Sequence, residues 1–492
     1  MHRKLARKFI LVDGLNELAF HYTLPVIVAY CKEKSISEIV VYKTDVDFLR
    51  RIQGSLPLDQ ECHPVIRNYR PSDSLQFILN HPGEYIIFFT HFFRIAWLCM
   101  TADSRALLKP TYNDVDEFVL GVFHGFWDLL VKRFGEKSIK FSFRDRLRVL
   151  NRILRSLFVS LAVRPASCDS VWLGHNVYQT RCLSDAANLF NKPYFLHAYF
   201  VITRMGKYQR VPPPLPTRKS IEILDKEVSE EAVMNYFSSR FTAQSENRDV
   251  SSLVSSSGSS FSDIPTNAVV VFLPVLGDSP FGWPDPDRMF GHYFDWLKGL
   301  VDVLALVSDP VIFRYHPSST LWGEDSKTIL AKFNCDNISK NLIMDDGSVF
   351  EHRTLIRDAK HVLTFRGTVH MERVCSGFKP IVFTKVLLSE YLPEAVFMPK
   401  TSLELSQILT MPKASVSEDC RQKAIRLLTY KENHMGFRHR LKGRPVLRND
   451  PIDYKNKVES TIRRRSKEEL EFFLNLGKRF ALESQFEQSV EF

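Results

Sequence analysis

Twice along this chain, short and nearly continuous apolar runs alternate with segments of helical periodicity, and a Ser-rich segment separates the two stretches. A strand that is apolar on both faces must be covered on both, which suits a parallel sheet flanked by helices. In the first half the runs are Phe9–Val12, Ile39–Tyr42, Tyr85–Phe89, Val171–Leu173 and Tyr194–Leu196. In the second they are Val269–Leu273, Val311–Tyr315, Leu342–Met344, Val362–Phe365, Ile381–Phe383 and Val396–Met398. Helical patterns lie between, as in Arg288–Leu306, where Met289, Phe290, Phe294, Trp296, Leu297 and Leu300 share a face. The Ser-rich residues 244–263 offer too little apolar surface to offset ordering, and read as a flexible linker or loop. The pattern predicts an α/β chain of two Rossmann-like domains, residues 1–240 and 265–420, facing a central cleft. A basic helical tail, residues 421–492, completes the expected domain plan.

Composition narrows the class further. With 45% hydrophobic and 25% charged residues over 492 positions, the chain is neither disordered throughout nor collagen-like. The longest apolar stretch, Tyr85–Met100, is broken by His91 and Arg94 and is too short to span a bilayer. The basic N-terminus, Met1–Lys8, is followed by no apolar core and cleavage site, so no secretory signal is expected. Eight cysteines form no CxxC pair and no zinc-like cluster, which fits reduced thiols in a cytoplasmic protein. Of the formal net charge of +10, residues 421–470 alone carry +9, from fifteen Lys/Arg against six Asp/Glu. That tail suits contact with anionic lipid at the inner face of a membrane as well as a solvated helical face.

No P-loop and no GxGxxG is present, so chemistry has to come from polar clusters just past the second-half strands. Arg314-Tyr315-His316-Pro317-Ser318-Ser319 is one: His316 can donate to a phosphate oxygen, and Ser318 and Ser319 can cap the next turn or add hydroxyl donors. Arg366-Gly367-Thr368 through Glu372 is another, with Gly367 permitting a tight turn and Thr368 placed as the cap of a helix whose amides favour an anion. Thr368 and Glu372 then share one face. The loop Gly277–Trp283 is a third, with interface and packing roles both open. Asp345-Asp346-Gly347-Ser348 reads as a strand end followed by a helix capped by Ser348. In the first half, Asp13 and His175 stand at strand ends, where either could act as a general base. Asp45-Val46-Asp47 has the DxD form of a metal site without a supporting carboxylate or His, and no metal is expected. No cofactor is expected either.

These second-half motifs form an order: Tyr315-His316-Pro317, then Gly367-Thr368, Glu372, Gly377 and Pro380. In that order the chain resembles the capsule polysaccharide biosynthesis proteins and related GT-B glycosyltransferases, including Kdo- and sialyl-transferring enzymes. Gly174-His175-Asn176-Val177-Tyr178, Ala186-Ala187 and Lys192-Pro193 resemble the same family's N-terminal domain. The similarity covers residues 170–210 and 268–385. It implies a nucleotide sugar bound by the C-terminal domain and an acceptor bound by the N-terminal one. His316 would then contact the donor phosphate, Gly367 and Thr368 the phosphate-facing helix start, and Glu372 the ribose. Arg314 stands where many relatives have Lys, and Arg366 adds a charge before the Gly-Thr. An Arg-rich pocket suits CMP-activated acidic sugars, because guanidinium groups bind carboxylates bidentately; UDP sugars are the other donor class left open.

The expected activity is metal-independent transfer of a sugar from a nucleotide donor to a surface polysaccharide or glycolipid acceptor. Arg314, His316, Ser318, Ser319, Arg366, Gly367, Thr368 and Glu372 form the donor set, and Asp13 and His175 are the base candidates. Two rivals stay open: a nucleotide-sugar epimerase or hydrolase, and a non-catalytic protein binding through its basic tail. No nucleic-acid motif is present, and no nucleic-acid partner is expected.

Overall fold

The computed structural model describes residues 8–13, 20–43, 45–54, 56, 63–80, 82–102, 114–134, 141–163, 167–174, 178–198, 201–205, 261–276, 278, 289–290, 293–317, 319, 324–331, 342–433 and 467–482. Most of the Ser-rich segment, residues 244–260, and the basic stretch 434–466 lie outside these. The chain divides into two compact units, the first holding a six-stranded sheet and the second a five-stranded one. Each is a Rossmann-like α/β unit, with helices between the strands of a mainly parallel sheet.

The first unit opens with β1 (Phe9–Asp13), α1 (Phe20–Glu33), β2 (Glu38–Tyr42), α2 (Val46–Gly54) and β3 (Val65–Asn68). A run of helices follows: α3 (Pro71–Asn80), α4 (Pro82–Thr101), α5 (Asp114–Phe134) and α6 (Phe143–Ser160). It then returns through β4 (Cys168–Leu173), α7 (Arg181–Leu189), β5 (Tyr194–Ala198) and β6 (Val201–Met205). The strand order is β3-β2-β1-β4-β5-β6, with β6 antiparallel to β5 and the other pairs parallel. Side chains alternate across the sheet as strand geometry requires: Ile10 and Val12 enter the core on one face, Phe9 and Leu11 the core on the other.

The second unit contains β7 (Val269–Phe272), α8 (Tyr293–Leu304), β8 (Val311–Arg314), α9 (Ser326–Ala331), β9 (Leu342–Asp345) and α10 (His352–Asp358). It continues with β10 (His361–Thr364), α11 (Val369–Cys375), β11 (Ile381–Val382), α12 (Leu387–Tyr391), α13 (Ser402–Thr410) and α14 (Glu418–Asn433). All its strand pairs are parallel, in the order β11-β10-β7-β8-β9. Trp296 on α8 is fully buried, with its ring 5.5 Å from Phe365 and 5.7 Å from Phe383.

The last described helix, α15 (Lys467–Leu482), belongs to the first unit. Its apolar stripe of Leu470, Phe473, Leu476 and Phe480 enters the same core as Val26, Trp172 and Phe195. Trp172 stacks on Phe195 at 4.1 Å, and Phe480 meets Phe195 at 5.3 Å. Contact is close because Gly477 has no side chain: a Cβ there would lie 2.2 Å from the Val26 carbonyl oxygen.

Three expectations are corrected. Tyr85–Phe89 is not a strand but the first half of α4, which starts with Pro82 at a position where a missing N–H costs nothing. Val396–Met398 makes only a single bridge, Phe397 to Ile381. Ser348 does not cap a helix: the Asp346 carboxylate accepts from its N–H at 3.0 Å, and α10 starts later, after Glu351.

Candidate functional site

In sheets of this kind the crevice lies beyond the carboxyl ends of the strands, where the strand order reverses direction from the first strand laid down. In the second unit that point falls between β7 and β10. The loop leaving β10 there is Phe365-Arg366-Gly367-Thr368. Thr364, buried at the strand end, accepts from the Gly367 N–H through its Oγ1 at 3.0 Å, and the His370 Nδ1–H donates to the Gly367 carbonyl at 2.5 Å. A Cβ at Gly367 would lie 2.8 Å from Thr364 Oγ1, so the turn is as tight as its bonds suggest. Gly367 is exposed, and Arg366 and Thr368 are half-buried. Thr368 occupies the cap position of α11, but its side chain does not cap the helix.

Glu372 is more deeply placed than its position past a strand end implies. It is buried, and its carboxylate accepts from His352 Nε2 on α10 at 3.0 Å. The His352 imidazole in turn meets the Phe272 ring edge-on at 5.3 Å, at the very end of β7. Thus β7, α10 and α11 bring Phe272, His352 and Glu372 together beside the switch point. His352 was not among the residues singled out in the sequence, because a lone His inside a helix carries no signal until its partner is known.

On the other side of β7, His316 lies two residues beyond β8 and is half-buried. With one strand between them, the β8 and β10 ends are about 10 Å apart at ordinary strand spacing, a span that one diphosphate can bridge. Arg314, by contrast, serves the sheet itself. It is buried, forms an ion pair with Asp345, its register partner across β8 and β9, and donates to the Phe350 carbonyl at 3.1 Å. Asp345 is further held by the N–H groups of Gly347 and Val349. Ser319 is buried and donates to Glu324 at 3.2 Å, closing a local turn. Ser318 and most of the Gly277–Trp283 loop lie outside the described residues.

In the first unit the corresponding switch point lies between β1 and β4, where Asp13 ends β1. Asp13 is buried, and its carbonyl accepts from Gly174 N–H at 3.0 Å, tying the two strand ends together. His175 follows Gly174 directly and lies outside the described residues. Tyr42 pairs in register with Asp13. Burial raises its phenol pKa, and the Asp13 charge adds to the effect. Lys43 Nζ stands 4.6 Å over the Tyr42 ring, on a backbone held in the left-handed region at φ 60°. A lysine adopts that conformation at a cost, and such strain gathers at functional edges.

A further buried polar group supports the β4 end. Arg181 and Asp185 on α7 are both buried and 3.6 Å apart, and α5 meets them through Gly121 and Gly125. A Cβ on Gly121 would lie 1.9 Å from Asp185 Oδ2, and one on Gly125 would lie 2.3 Å from the Tyr178 carbonyl oxygen. The spacing Gly-x-x-x-Gly in α5 was the available sequence signal for this close approach. The DxD pair has local duties. Asp45 accepts from the Phe48 N–H at 3.1 Å, starting α2, and Asp47 pairs with Arg50 at 3.2 Å.

No protein-family model matches the sequence, and no curated protein matches it. Among solved structures, a UDP-GlcNAc 2-epimerase from Methanocaldococcus jannaschii, in complex with UDP-GlcNAc and UDP, is 11% identical with a TM-score of 0.29, covering 86% of this chain and 99% of its own. A UDP-GlcNAc 2-epimerase from Neisseria meningitidis bound to UDP-GlcNAc is 9% identical with a TM-score of 0.25, at 86% and 99% coverage. A UDP-forming α,α-trehalose-phosphate synthase from Burkholderia vietnamiensis is 12% identical with a TM-score of 0.27, at 93% and 95% coverage. Scores of this size carry no weight for substrate or reaction, and the fold rests on the two strand orders.

Proposed function

We propose that the chain is a metal-independent glycosyltransferase that moves a sugar from a nucleotide donor to a polysaccharide or glycolipid acceptor. The observation that carries this reading is the second unit's strand order, which puts Arg366, Gly367 and Thr368 at the switch point beside the buried Glu372–His352 pair. Phosphoryl oxygens suit the Arg366 guanidinium, His316 and the backbone at the start of α11, while the Gly367 N–H is taken by Thr364. Charge that develops on a departing nucleotide phosphate would be stabilised there without reorganising the protein. The ribose falls to the Glu372 side, where a carboxylate already oriented by His352 can accept from a hydroxyl.

In the first unit, Asp13 and His175 are the candidates to take the proton of an acceptor hydroxyl. Asp13 stands beside Tyr42 and Lys43, so an acceptor there would meet a carboxylate, a phenol and an ammonium at one sheet edge. CMP and UDP are the donor nucleotides to be separated.

A thermal-shift screen against CMP, UDP, GDP and their sugars tests the reading. Stabilisation by one nucleotide names the donor class, and a flat response to all of them sinks it. With the donor named, release of a 2-epimer or free sugar without any acceptor would assign the same site to an epimerase or hydrolase.

A further inference from the structure

Helix α6 turns Val149, Leu150, Ile153 and Leu157 inward. Its outer face carries Arg144, Arg148, Arg152 and Arg155, all exposed, and the helix's one acidic residue, Asp145, is buried. None of these four arginines makes an ion pair with a described residue. From Arg144 to Arg155 the row runs about 16 Å along the helix.

One exposed apolar pair stands on α6 itself, at the N-terminal end of that row, and a second on neighbouring α4. Phe143 is 70% exposed and Leu147 51%, and on α4 Phe93 and Trp97 are each 70% exposed. The two helices are joined close by: Arg146 donates to the Cys99 carbonyl at 3.0 Å and the Ala102 carbonyl at 2.8 Å, satisfying the end of α4. Both pairs therefore lie within about two helical turns of one joint. Large apolar side chains left in water near a cationic row that has no ion-pair partner among the described residues mark a surface that meets something.

The chemistry of the row selects the partner. Trp and Phe seat at the boundary between headgroups and acyl chains, and Arg buries its stem there while its guanidinium pairs with phosphate. We infer that the α4–α6 face docks the first unit on an anionic membrane surface, with Phe93, Trp97, Phe143 and Leu147 inserted and the arginine row on the headgroups. No residue of this surface belongs to the basic stretch 434–466, and the inference stands whether or not the chain transfers sugars. The row ends at Arg155, whose charge opposes the burial-driven rise of the Tyr42 phenol pKa, so docking would bring the bilayer toward the strand ends that carry Asp13.

The test uses the full chain and vesicles of phosphatidylcholine, with and without phosphatidylglycerol, across a salt series. Binding is expected only to the anionic vesicles and to weaken with salt. Arg144→Gln/Arg148→Gln/Arg152→Gln should weaken it about a hundredfold, at roughly 1 kcal/mol per arginine. Phe93→Ser/Trp97→Ser should weaken it at least about tenfold, while Arg463→Ala/Arg464→Ala/Arg465→Ala should keep most of it. In the unaltered fold, brominated lipid should quench a fluorescence component that Trp97→Phe removes. Binding unchanged in both α4–α6 variants, binding lost only in the tail variant, or no binding to anionic vesicles would overturn the inference. So would a wild-type dimer that Phe93→Ser/Trp97→Ser dissociates, which would make the face a contact between copies.

Discussion

The Glu372 carboxylate and His352 Nε2 lie 3.0 Å apart on neighbouring helices, each entered from a different strand of the second sheet. The pair joins α10 to α11 beside the loop that carries Arg366, Gly367 and Thr368. Its burial alters how the site has to be probed, since removing Glu372 outright would leave His352 without its acceptor.

His316 is half-buried on a loop and can be truncated without opening the core. His316→Ala should retain the melting temperature and lose roughly ten- to a hundredfold in nucleotide affinity, the worth of one hydrogen bond to a charged group. For Glu372 the isosteric Glu372→Gln is the informative change, because it keeps the volume and one acceptor oxygen. Calorimetric titration with the stabilising nucleotide should show a similar loss. Wild-type affinity in both variants would remove them from the donor site.

Much of this architecture was legible because buried parallel strands leave a strong trace. Val269–Leu273, Val311–Tyr315 and Val362–Phe365 stand out as apolar runs, and the polar residues directly after them fall at the strand ends where a ligand crevice forms. The failures have physical causes. The run Tyr85–Phe89 is as apolar as a strand, and only its place within a 20-residue helix decides its state. The edge strand Val65–Asn68 was missed because Arg67 breaks its apolar character; Arg67 pairs with Glu38 on β2 and Asp73 on α3, each at 2.8 Å. Arg314 illustrates a different limit: a strand-end arginine looks the same in sequence whether it meets a ligand or, as here, Asp345.

Arg373 follows Glu372 on α11 and is fully buried. It donates to the carbonyls of Ile356, Arg357, Ala359 and Lys360, closing the C-terminal end of α10. Burial lowers its pKa to about 9, which leaves it charged at neutral pH, as a helix C-terminus favours. Arg373→Lys cannot reach all four carbonyls and should cost about 2–4 kcal/mol. Because α10 also carries His352, the partner of Glu372, nucleotide affinity should fall with it. Denaturant unfolding and calorimetry on this variant check both, and loss of neither would show the cap to be incidental.

His361 begins β10 and donates through Nε2 to the Met411 carbonyl at 3.1 Å. Burial, helped by the Lys360 charge, lowers its pKa to about 4. The unfolded chain takes up a proton near pH 6.5, whereas the folded one resists until about pH 4, so stability falls as pH drops through that window. The full effect is at most about 3 kcal/mol. His361→Gln keeps a donor and cannot titrate, so its stability curve between pH 6.5 and 4 should be flatter than wild type. Parallel curves would place the titration elsewhere.

Metal dependence separates two kinds of transferase. Asp45 starts α2, and Asp47 is exposed and pairs with Arg50 at the surface, so both carboxylates of the DxD have local partners. If the chain is the transferase proposed above, transfer should persist in excess EDTA, and Asp47→Asn should retain most activity. Activity abolished by EDTA and restored only by magnesium or manganese would reverse this assignment.

The C-terminal helix offers the sharpest stability test, because its seat on α1 leaves no room for a side chain at one point. A Cβ on Gly477 would approach the Val26 carbonyl oxygen to 2.2 Å and the Ala29 Cβ to 2.8 Å. The first is backbone, near Pro25 inside α1, and cannot swing aside as a flexible side chain would. Gly477→Val must push α15 away from α1 and loosen Phe473, Leu476 and Phe480 in the core they share with Trp172. Overpacking of this kind costs about 1–3 kcal/mol, and partial exposure of three large side chains can add to it. A neighbouring change on the outer face of the helix, Lys478→Ala, should cost almost nothing. Urea unfolding followed by tryptophan fluorescence, to which Trp172 contributes among six tryptophans, compares the two variants. Equal midpoints would mean that α15 does not hold the first unit together, and that a chain ending before residue 467 should fold as well as the full one.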